Sequence, residues 1–281
     1  MVDDTKALAR FISAAAPVTM LTGAGVSTAS GIPEYRDRDG NWKHAKPVQF
    51  NDFVRSDPVR RRYWARSFSG WSRIGSAKPN SAHDALAGFE HRGYSHWLIT
   101  QNVDGLHSAA GSRRITDLHG RLDTVCCLSC DARSRRADWQ LALATANPAW
   151  QSAVASIRPD GDAELADNDA RSFVVPDCSE CGGVIKPDVV FFGEAVPRSR
   201  VEDGIKALKQ SGGLLVTGSS LMVFSGYRFA RLALEMGKPV AIVNKGRTRA
   251  DDIASLKIDD ECGEVLSRTL ACLDNESKQS V

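Results

Sequence analysis

The apolar positions of the chain fall into short runs that end in small or polar residues. Four such runs read PVTMLTGAG (17–25), SHWLITQN (95–102), GGLLVTGSS (212–220) and KPVAIVNKG (238–246), and each leads into a polar or helix-like stretch. Continuous apolar strands that alternate with helices are typical of a parallel sheet. The pattern therefore predicts an α/β fold with crossover helices.

Apolar residues at helical spacing predict helices over 82–91, 204–210 and 227–236. The first 17 residues, MVDDTKALARFISAAAP, show similar spacing and carry Asp3 and Asp4 where a presequence would be basic. We expect this segment to be the first helix of the mature fold.

Two stretches interrupt the alternation of strands and helices. Residues 40–80 are rich in tryptophan and arginine and contain no clear strand, which predicts a small helical insert. Residues 126–186 are polar, and the segment DGDAELADNDAR (160–171) has no apolar period. This segment is expected to be a surface loop.

Length and charge exclude several classes of protein. The 281 residues, 42% of them hydrophobic, can bury a substantial core. The 36 basic and 34 acidic side chains leave a net charge of +2, which is too weak to favour nucleic acid or an anionic membrane as the main partner. No apolar run approaches the ~18–20 residues of a membrane span. We expect a cytoplasmic globular protein with a small or locally recognised substrate.

Four of the seven cysteines form two CxxC pairs with 47 residues between them. Four thiolates can close a tetrahedron around Zn²⁺ at ~2.3 Å, which leaves no position for water and makes such a site structural. Disulfides or free thiols are the alternative, and Cys126 competes with its neighbour as a ligand. The spacing favours Cys127, Cys130, Cys178 and Cys181 as the zinc ligands.

Turns that suit a nucleotide follow three of the strands. Residues 23–28 bring glycines to a strand end, where backbone N–H groups can approach a pyrophosphate, and TGSS and VNKG follow two other strands. Ordinary turn chemistry is the alternative for each. In a dehydrogenase, a third glycine would follow in this turn, and a second strand would end in an acidic residue ~20 positions further along the chain. The loop GIPEYRDRDG stands there instead, so a hydride-transferring oxidoreductase is the weaker hypothesis.

Polar side chains also follow the second strand. Gln101, Asn102 and Asp104 can hold a carboxamide or a ribose, and His119, in TDLHG, can take a proton from a hydroxyl. A lone histidine is more often a core or surface residue, and that alternative applies here. Four further histidines are expected to be structural: His44, His83, His91 and His96.

Together these segments resemble the sirtuin family. GAGVSTASGIPEYR, TQNVDGLH, LHG, the CxxC pairs, KPDVVFFGE, TGSS and VNKG occur in that family's order and spacing over nearly the whole chain. The resemblance implies one catalytic unit, residues 1–281, with a Rossmann-like parallel sheet and a smaller helical plus zinc-ribbon domain. The large domain is expected over about 1–39, 80–125 and 186–281, and the small one over about 40–79 (helical) and 126–185 (zinc ribbon).

The resemblance also implies a reaction in which NAD⁺ is consumed. An acyl group would leave a protein lysine, with release of nicotinamide and O-acyl-ADP-ribose. His119 would be the general base on a ribose hydroxyl, Asn102 would position ribose and water, and Asp104 with Ile32 would hold the nicotinamide carboxamide. Protein mono-ADP-ribosyl transfer in the same cleft is the alternative function, and a zinc-ribbon module that binds nucleic acid is a third.

The implied site residues form two groups. The NAD⁺ cleft would contain Gly23, Ala24, Gly25, Ser27, Ile32, Pro33, Tyr35, Arg36, Gln101, Asn102, Asp104, Gly218, Ser219, Ser220, Asn244, Lys245, Gly246 and Cys262. The acyl-lysine protein would contact Tyr63, Arg66, Val190, Phe191, Phe192, Gly193 and Gly226. Its backbone would pair as an extra strand between the segments 190–194 and FSGY, with Phe192 beside the lysine stem.

Two interpretations remain for the acyl group that the enzyme would remove. Tyr63 and Arg66 have a YxxR spacing that resembles the acidic-acyl pocket of desuccinylating sirtuins, and on a helix they could grip one carboxylate. Alternatively, Arg66 belongs to an exposed basic face that begins at residues 60–62. RSFVVPDC, PDVVFFGE and SGYRFA resemble class II sirtuins, whose mitochondrial member has been linked to bulky branched acidic acyl groups, lipoyl groups and ADP-ribosyl transfer. The expected partners are acylated-lysine proteins, without nucleic acid or membrane, and the chain is expected to be a monomer.

Overall fold

A computed structural model of the chain describes residues 4–43, 47–150 and 169–279. The strands are β1 (Val18–Thr22), β2 (Ser95–Thr100), β3 (Ile115–Asp117), β4 (Gly120–Cys127), β5 (Arg133–Arg135), β6 (Ile185–Val189), β7 (Leu214–Thr217), β8 (Val240–Val243) and β9 (Leu256–Ile258). The α-helices are α1 (Asp4–Ala15), α2 (Phe50–Arg55), α3 (Asp57–Ser76), α4 (Ser81–His91), α5 (Leu106–Ala109), α6 (Arg136–Ala146), α7 (Arg198–Gln210), α8 (Phe224–Glu235) and α9 (Cys262–Gln279). His44 and most of the predicted loop 160–171 lie outside the described residues.

Six strands of the described part form a parallel sheet in the order β3-β2-β1-β7-β8-β9. The four apolar runs form β1, β2, β7 and β8, in that order along the chain. The predicted strands and the predicted α/β class are therefore confirmed. In the register, Met20 of β1 lies between Leu98 of β2 and Leu215 of β7.

The sheet is buried on both faces because successive side chains of a strand point to opposite sides. Met20 packs in a cluster with Leu86 of α4 and Leu266 of α9. Its neighbour Leu21 packs in another cluster with Phe229 of α8. All of these side chains are almost fully buried, and burial of each contributes about 2 kcal/mol.

A second layer of structure surrounds an antiparallel sheet with the order β5-β4-β6 in the described residues. Its core contains Phe53, Trp64 and Phe173, all fully buried, so α2 and α3 pack with residues from the cysteine-bearing segment. The helical insert predicted between residues 40 and 80 is present as α2 and α3. The strands β4 and β6 reach to both sides of the expected boundaries at 125 and 186, and the division into domains stays a prediction.

The start of α4 is tied to the glycine turn after β1. Asn80 caps the helix, since its side-chain oxygen accepts the Ala82 N–H at 2.9 Å. Its Nδ2 donates to the Val26 carbonyl at 2.9 Å and to the Ser30 hydroxyl at 2.8 Å. One cap residue therefore fixes both the helix and the turn.

Candidate active site

The carboxyl ends of β1, β2, β7 and β8 open into a cavity of about 500 Å³. The turns after these strands line it, together with residues 189–196 and parts of the loop 32–42. This is the edge at which open α/β sheets bind ligands. The fold therefore brings the three predicted nucleotide turns to one space.

Two of these turns touch each other because glycine stands where a side chain would collide. A Cβ on Gly218 would lie 2.5 Å from the backbone nitrogen of Val26, and the φ of +58° at this position also favours glycine. A Cβ on Gly23 would lie 2.7 Å from the Cβ of Ser219. The GAG and TGSS segments thus form one continuous surface.

A hydrogen-bonded group of side chains lies on that surface at the end of β2. Ser27 Oγ donates to Asp104 Oδ2 at 2.7 Å and accepts from Asn102 Nδ2 at 3.0 Å. The other carboxylate oxygen of Asp104 accepts the Leu106 N–H at 2.9 Å. These bonds fix the orientation of the amide and the carboxylate that line the cavity.

His83 supports this group from behind and is fully buried, in agreement with its expected structural role. Its Nδ1 accepts the Asn80 N–H at 3.3 Å, so its Nε2–H faces Ser27 Oγ at 3.4 Å. Burial lowers the pKa of His83, which favours this neutral tautomer.

The imidazole of His119 is held between two partners. Nδ1 lies 3.0 Å from the Gln101 carbonyl oxygen, which can only accept, so Nδ1 carries the proton. Nε2 therefore has the lone pair and accepts from the Ser225 hydroxyl at 2.7 Å. Burial lowers the pKa of His119 to about 4; the bond to Gln101 opposes this shift and the charge of Arg200 adds to it. At neutral pH His119 is an uncharged base that faces the cavity.

The side chain of Gln101 connects the end of β1 to the turn that follows β7. Its Nε2 donates to Ser219 Oγ at 2.7 Å and to the Thr22 carbonyl at 3.2 Å. A Cβ on Gly226 would collide with the side-chain amide of Gln101, so glycine here lets α8 pack against that amide in its observed position.

An aromatic cluster connects the loop 32–42 to the segment 189–196. The ring of Trp42 lies 5.4 Å from that of Phe192, and Tyr35 contacts both rings at 6.2 Å. The guanidinium of Arg36 stacks on Trp42 at 4.1 Å and donates to the Gly40 carbonyl. Residues expected at the cofactor and at the lysine stem are therefore in direct contact.

The cavity gathers most of the predicted residues. It is lined by Gly23, Ala24, Gly25, Ser27, Ile32, Tyr35, Arg36, Tyr63, Gln101, Asn102, Asp104, His119, Val190, Phe191, Phe192, Gly193, Gly218, Ser219, Ser220, Asn244 and Lys245. Within the described ranges, five predicted residues do not line it: Pro33, Arg66, Gly226, Gly246 and Cys262. Cys262 is close by, with Sγ 3.5 Å from the Gly25 carbonyl oxygen.

Sequence reasoning missed several lining residues, including Trp42, Ser225 and Arg228. Ser225 is 106 positions from the histidine that it contacts. Its location in the FSGY segment, which the family resemblance places beside the peptide backbone, was the available sign that it lies at the cavity.

Comparison with known proteins identifies the family of the chain. A model of the Sir2 family matches residues 23–225, which is most of the chain. The chain belongs to the Sir2 family. The family resemblance predicted from the sequence is thereby confirmed.

Relatives of this Sir2-family chain are similar over nearly their whole length. The "NAD-dependent protein deacetylase" of Bordetella bronchiseptica is 52% identical over 268 residues, which cover 95% of this chain and 98% of that one. The bovine "NAD-dependent protein lipoamidase sirtuin-4, mitochondrial" is 49% identical over 94% of this chain and 85% of that one. The predicted class of enzyme, an NAD-dependent protein deacylase, is confirmed by these relatives.

Solved structures of Sir2 proteins share the fold. One, described as "Sir2-p53 peptide-NAD+", has a TM-score of 0.76 at 29% identity and covers 95% of this chain and 97% of its own. Another, "Sir2 bound to acetylated peptide", has the same TM-score, identity and coverage. In the part of the Sir2-family chain that the structure describes, no helix has the length and apolarity needed to cross a membrane.

The expected metal ligands of the Sir2-family chain lie together. In the described residues, the sulfur atoms of Cys127, Cys130, Cys178 and Cys181 are all within 4.8 Å of one another, and Cys126 is not in this cluster. Two separations are 3.5 Å, between Cys127 and Cys181, and 3.8 Å, between Cys130 and Cys178. A ZnS₄ tetrahedron with ~2.3 Å bonds has edges of about 3.8 Å, so the cluster fits one structural Zn²⁺.

Proposed function

We propose that this Sir2-family enzyme uses the cavity to transfer acyl groups from protein lysines to the ADP-ribose part of NAD⁺, with release of nicotinamide and with His119 as the general base. NAD⁺ supplies an electrophilic ribose carbon and nicotinamide as the leaving group. The observation that carries the assignment is the tautomer of His119. Its Nδ1–H is occupied by the Gln101 carbonyl, and its Nε2 lone pair faces the cavity.

In this proposal His119 accepts a proton from a ribose hydroxyl at Nε2. The Ser225 hydroxyl now occupies that lone pair at 2.7 Å, so the ribose hydroxyl would take the place of Ser225 as the donor. The Gln101 carbonyl would stabilise the imidazolium that forms, because it continues to accept the Nδ1 proton.

Asn102, Ser27 and Asp104 would orient the nicotinamide end of the cofactor. The bonds among these side chains fix their directions before any ligand arrives, which reduces the entropy cost of binding. The turns at 23–25, 218–220 and 244–246 would bind the phosphates and the adenosine through backbone N–H groups and small polar side chains.

The acyl-lysine would enter between the segment 190–194 and the start of α8, with its backbone paired as an added strand. The Phe192 carbonyl accepts the Phe50 N–H at 2.9 Å, so the lysine-flanking ring is anchored to α2. The large and small domains expected from the sequence would meet at this groove.

We assign the acyl chain to the apolar wall near Tyr63. Tyr63, Phe191 and Ile32 line the cavity and are almost fully buried, which suits an acyl group longer than acetyl. Excluding water there would also protect a cationic intermediate. Of the two residues predicted to form the carboxylate clamp, Tyr63 lines the cavity and Arg66 does not. The clamp is therefore better supported at Tyr63.

The test is nicotinamide release from NAD⁺ with acetyl-, succinyl-, methylglutaryl- and lipoyl-lysine peptides. Release should require an acyl peptide and fall by roughly 10²-fold or more in His119→Ala. His91→Gln, at an exposed position outside the cavity, is the matched control. Tyr63→Phe and Arg66→Gln should reduce activity on acidic acyl groups more than on acetyl if the clamp operates. Release without any acyl peptide, with ADP-ribose left on a protein, would favour the alternative, mono-ADP-ribosyl transfer.

A further inference from the structure

Arg228 is a cationic side chain of the cavity for which the described residues supply no hydrogen-bond or ion-pair partner. Arg228 lines the cavity, and its Nε is buried without a hydrogen-bond partner in the described residues. Its guanidinium packs over the ring of Phe224 at 5.2 Å, a contact that satisfies none of its N–H donors. A buried donor of this kind costs free energy unless a ligand accepts from it.

The acidic side chains that share the cavity do not neutralise this charge, because each is bonded to another donor. Glu34 is paired with Lys43, Asp37 accepts from the Asn41 N–H, Asp104 accepts from Ser27, and Glu194 is paired with Lys186. Arg228 therefore offers its N–H groups to the cavity with no carboxylate from the described chain in reach.

The position of Arg228 distinguishes it from the acyl wall. It is one turn after Ser225 on α8, so both side chains lie on one face of the helix. The ring on which it packs, Phe224, is 49% exposed, whereas Tyr63 on the acyl wall is 3% exposed. The guanidinium is thus at the rim of the cavity, beside the groove for the peptide backbone.

We propose that Arg228 determines specificity by binding a carboxylate of the protein substrate, the side chain of an aspartate or glutamate close in sequence to the acyl-lysine. This inference rests on the proposed function of the groove. Arginine suits the role because its planar N–H groups can bind both carboxylate oxygens at once. A contact formed equally in the ground and transition states should act on the KM for the peptide more than on kcat.

The experiment compares acetyl-lysine peptides that differ only by Glu or Gln at single positions within three residues of the lysine. The ratio of kcat/KM for the Glu and Gln peptides is measured within each protein, so changes common to all peptides cancel. For at least one position the wild-type ratio should be about tenfold, equivalent to about 1.4 kcal/mol. Arg228→Gln should reduce that ratio to near one, and Arg228→Glu should shift the preference to a peptide with Lys at the same position.

Arg231→Gln is the matched control, because Arg231 is on the same helix, exposed and paired with Glu235. It should retain the wild-type ratio. Equal effects of Arg228→Gln on Glu and Gln peptides would overturn the proposal. A changed preference for succinyl over acetyl on one Gln peptide, with the flanking ratio unaffected, would also overturn it by placing the carboxylate on the acyl chain.

A binding measurement keeps this test separate from the test of the reaction. Fluorescence anisotropy with labelled Glu and Gln acetyl-lysine peptides reports the preference even if no nicotinamide is released. Absence of turnover with a retained, Arg228-dependent Glu preference would refute the deacylase proposal alone. Turnover without that preference would refute the role of Arg228 alone.

Discussion

A fall in pH from 7.5 to 5 should destabilise the fold through His107. This side chain is 2% exposed, and its Nε2 lies 2.9 Å from Thr22 Oγ1, which donates its own proton to Thr100. Nε2 therefore carries the proton of the neutral ring, and Nδ1 has no partner in the described residues. Protonation would create a buried N–H without an acceptor, 4.8 Å from the ring of His83.

The size of the effect follows from linkage. Burial, with a smaller contribution from His83, lowers the pKa of His107 from 6.5 to about 3. The unfolded chain binds the proton first, so the stability contributed by neutral His107 is complete above pH 6.5 and is lost as the pH falls towards 3. Between pH 7.5 and 5 the loss from this one group is about 2 kcal/mol.

The assay is urea unfolding at the two pH values for wild type and His107→Gln. The glutamine amide can still donate to Thr22 but cannot be protonated, so the pH-induced loss should be about 2 kcal/mol smaller in the variant. His91→Gln, at an exposed histidine, should keep the wild-type pH dependence. An equal loss in His107→Gln and wild type would show that protonation of His107 does not cause the destabilisation.

Three further predictions concern the glycine turn, the zinc cluster and the proposed catalytic base. In thermal denaturation, Gly218→Ala should destabilise the fold more than Gly237→Ala. Both glycines have positive φ, but an added Cβ meets a backbone nitrogen at 2.5 Å only at Gly218. Gly237→Ala should cost about 1–2 kcal/mol of stability, and equal costs for the two variants would contradict the packing argument. Purified protein should contain one zinc per chain, lost in Cys178→Ser and retained in Cys126→Ser; retention in both would exclude the assigned ligand set. Since burial lowers the pKa of His119 to about 4, the base is neutral above that value, and kcat/KM should change less than twofold between pH 7.5 and 5.5. A tenfold fall at pH 5.5, as for an imidazole of pKa 6.5, would contradict this assignment.

The central strands were predictable because β1, β7 and β8 are buried on both faces and therefore read as continuous apolar runs. The edge strands β3 and β9 have three residues each, too few to show a period. The cysteine cluster was predictable because each CxxC pair is local in sequence and its spacing is set by metal geometry.

Without the family resemblance, the candidate site was predictable only where its residues directly follow strands; Tyr63, which lies within α3, was predicted through the resemblance. Gln101, Asn102 and Asp104 follow β2, so the sequence indicated their location at the sheet edge. The partners that orient them come from distant segments: Ser27 is 75 positions from Asn102, and Ser225 is 106 positions from His119. Such pairs are made by the tertiary fold, and no local pattern in one sequence encodes them.

The proposed acyl transfer is tested most directly by the product balance of a single reaction, measured by mass spectrometry with wild-type protein, NAD⁺ and an acyl-lysine peptide. Over many turnovers we expect nicotinamide, deacylated peptide and O-acyl-ADP-ribose in equal amounts, and all three should fall together by roughly 10²-fold or more in His119→Ala. Nicotinamide release with the acyl group still on the peptide, or with ADP-ribose attached to protein instead, would contradict the proposed acyl transfer.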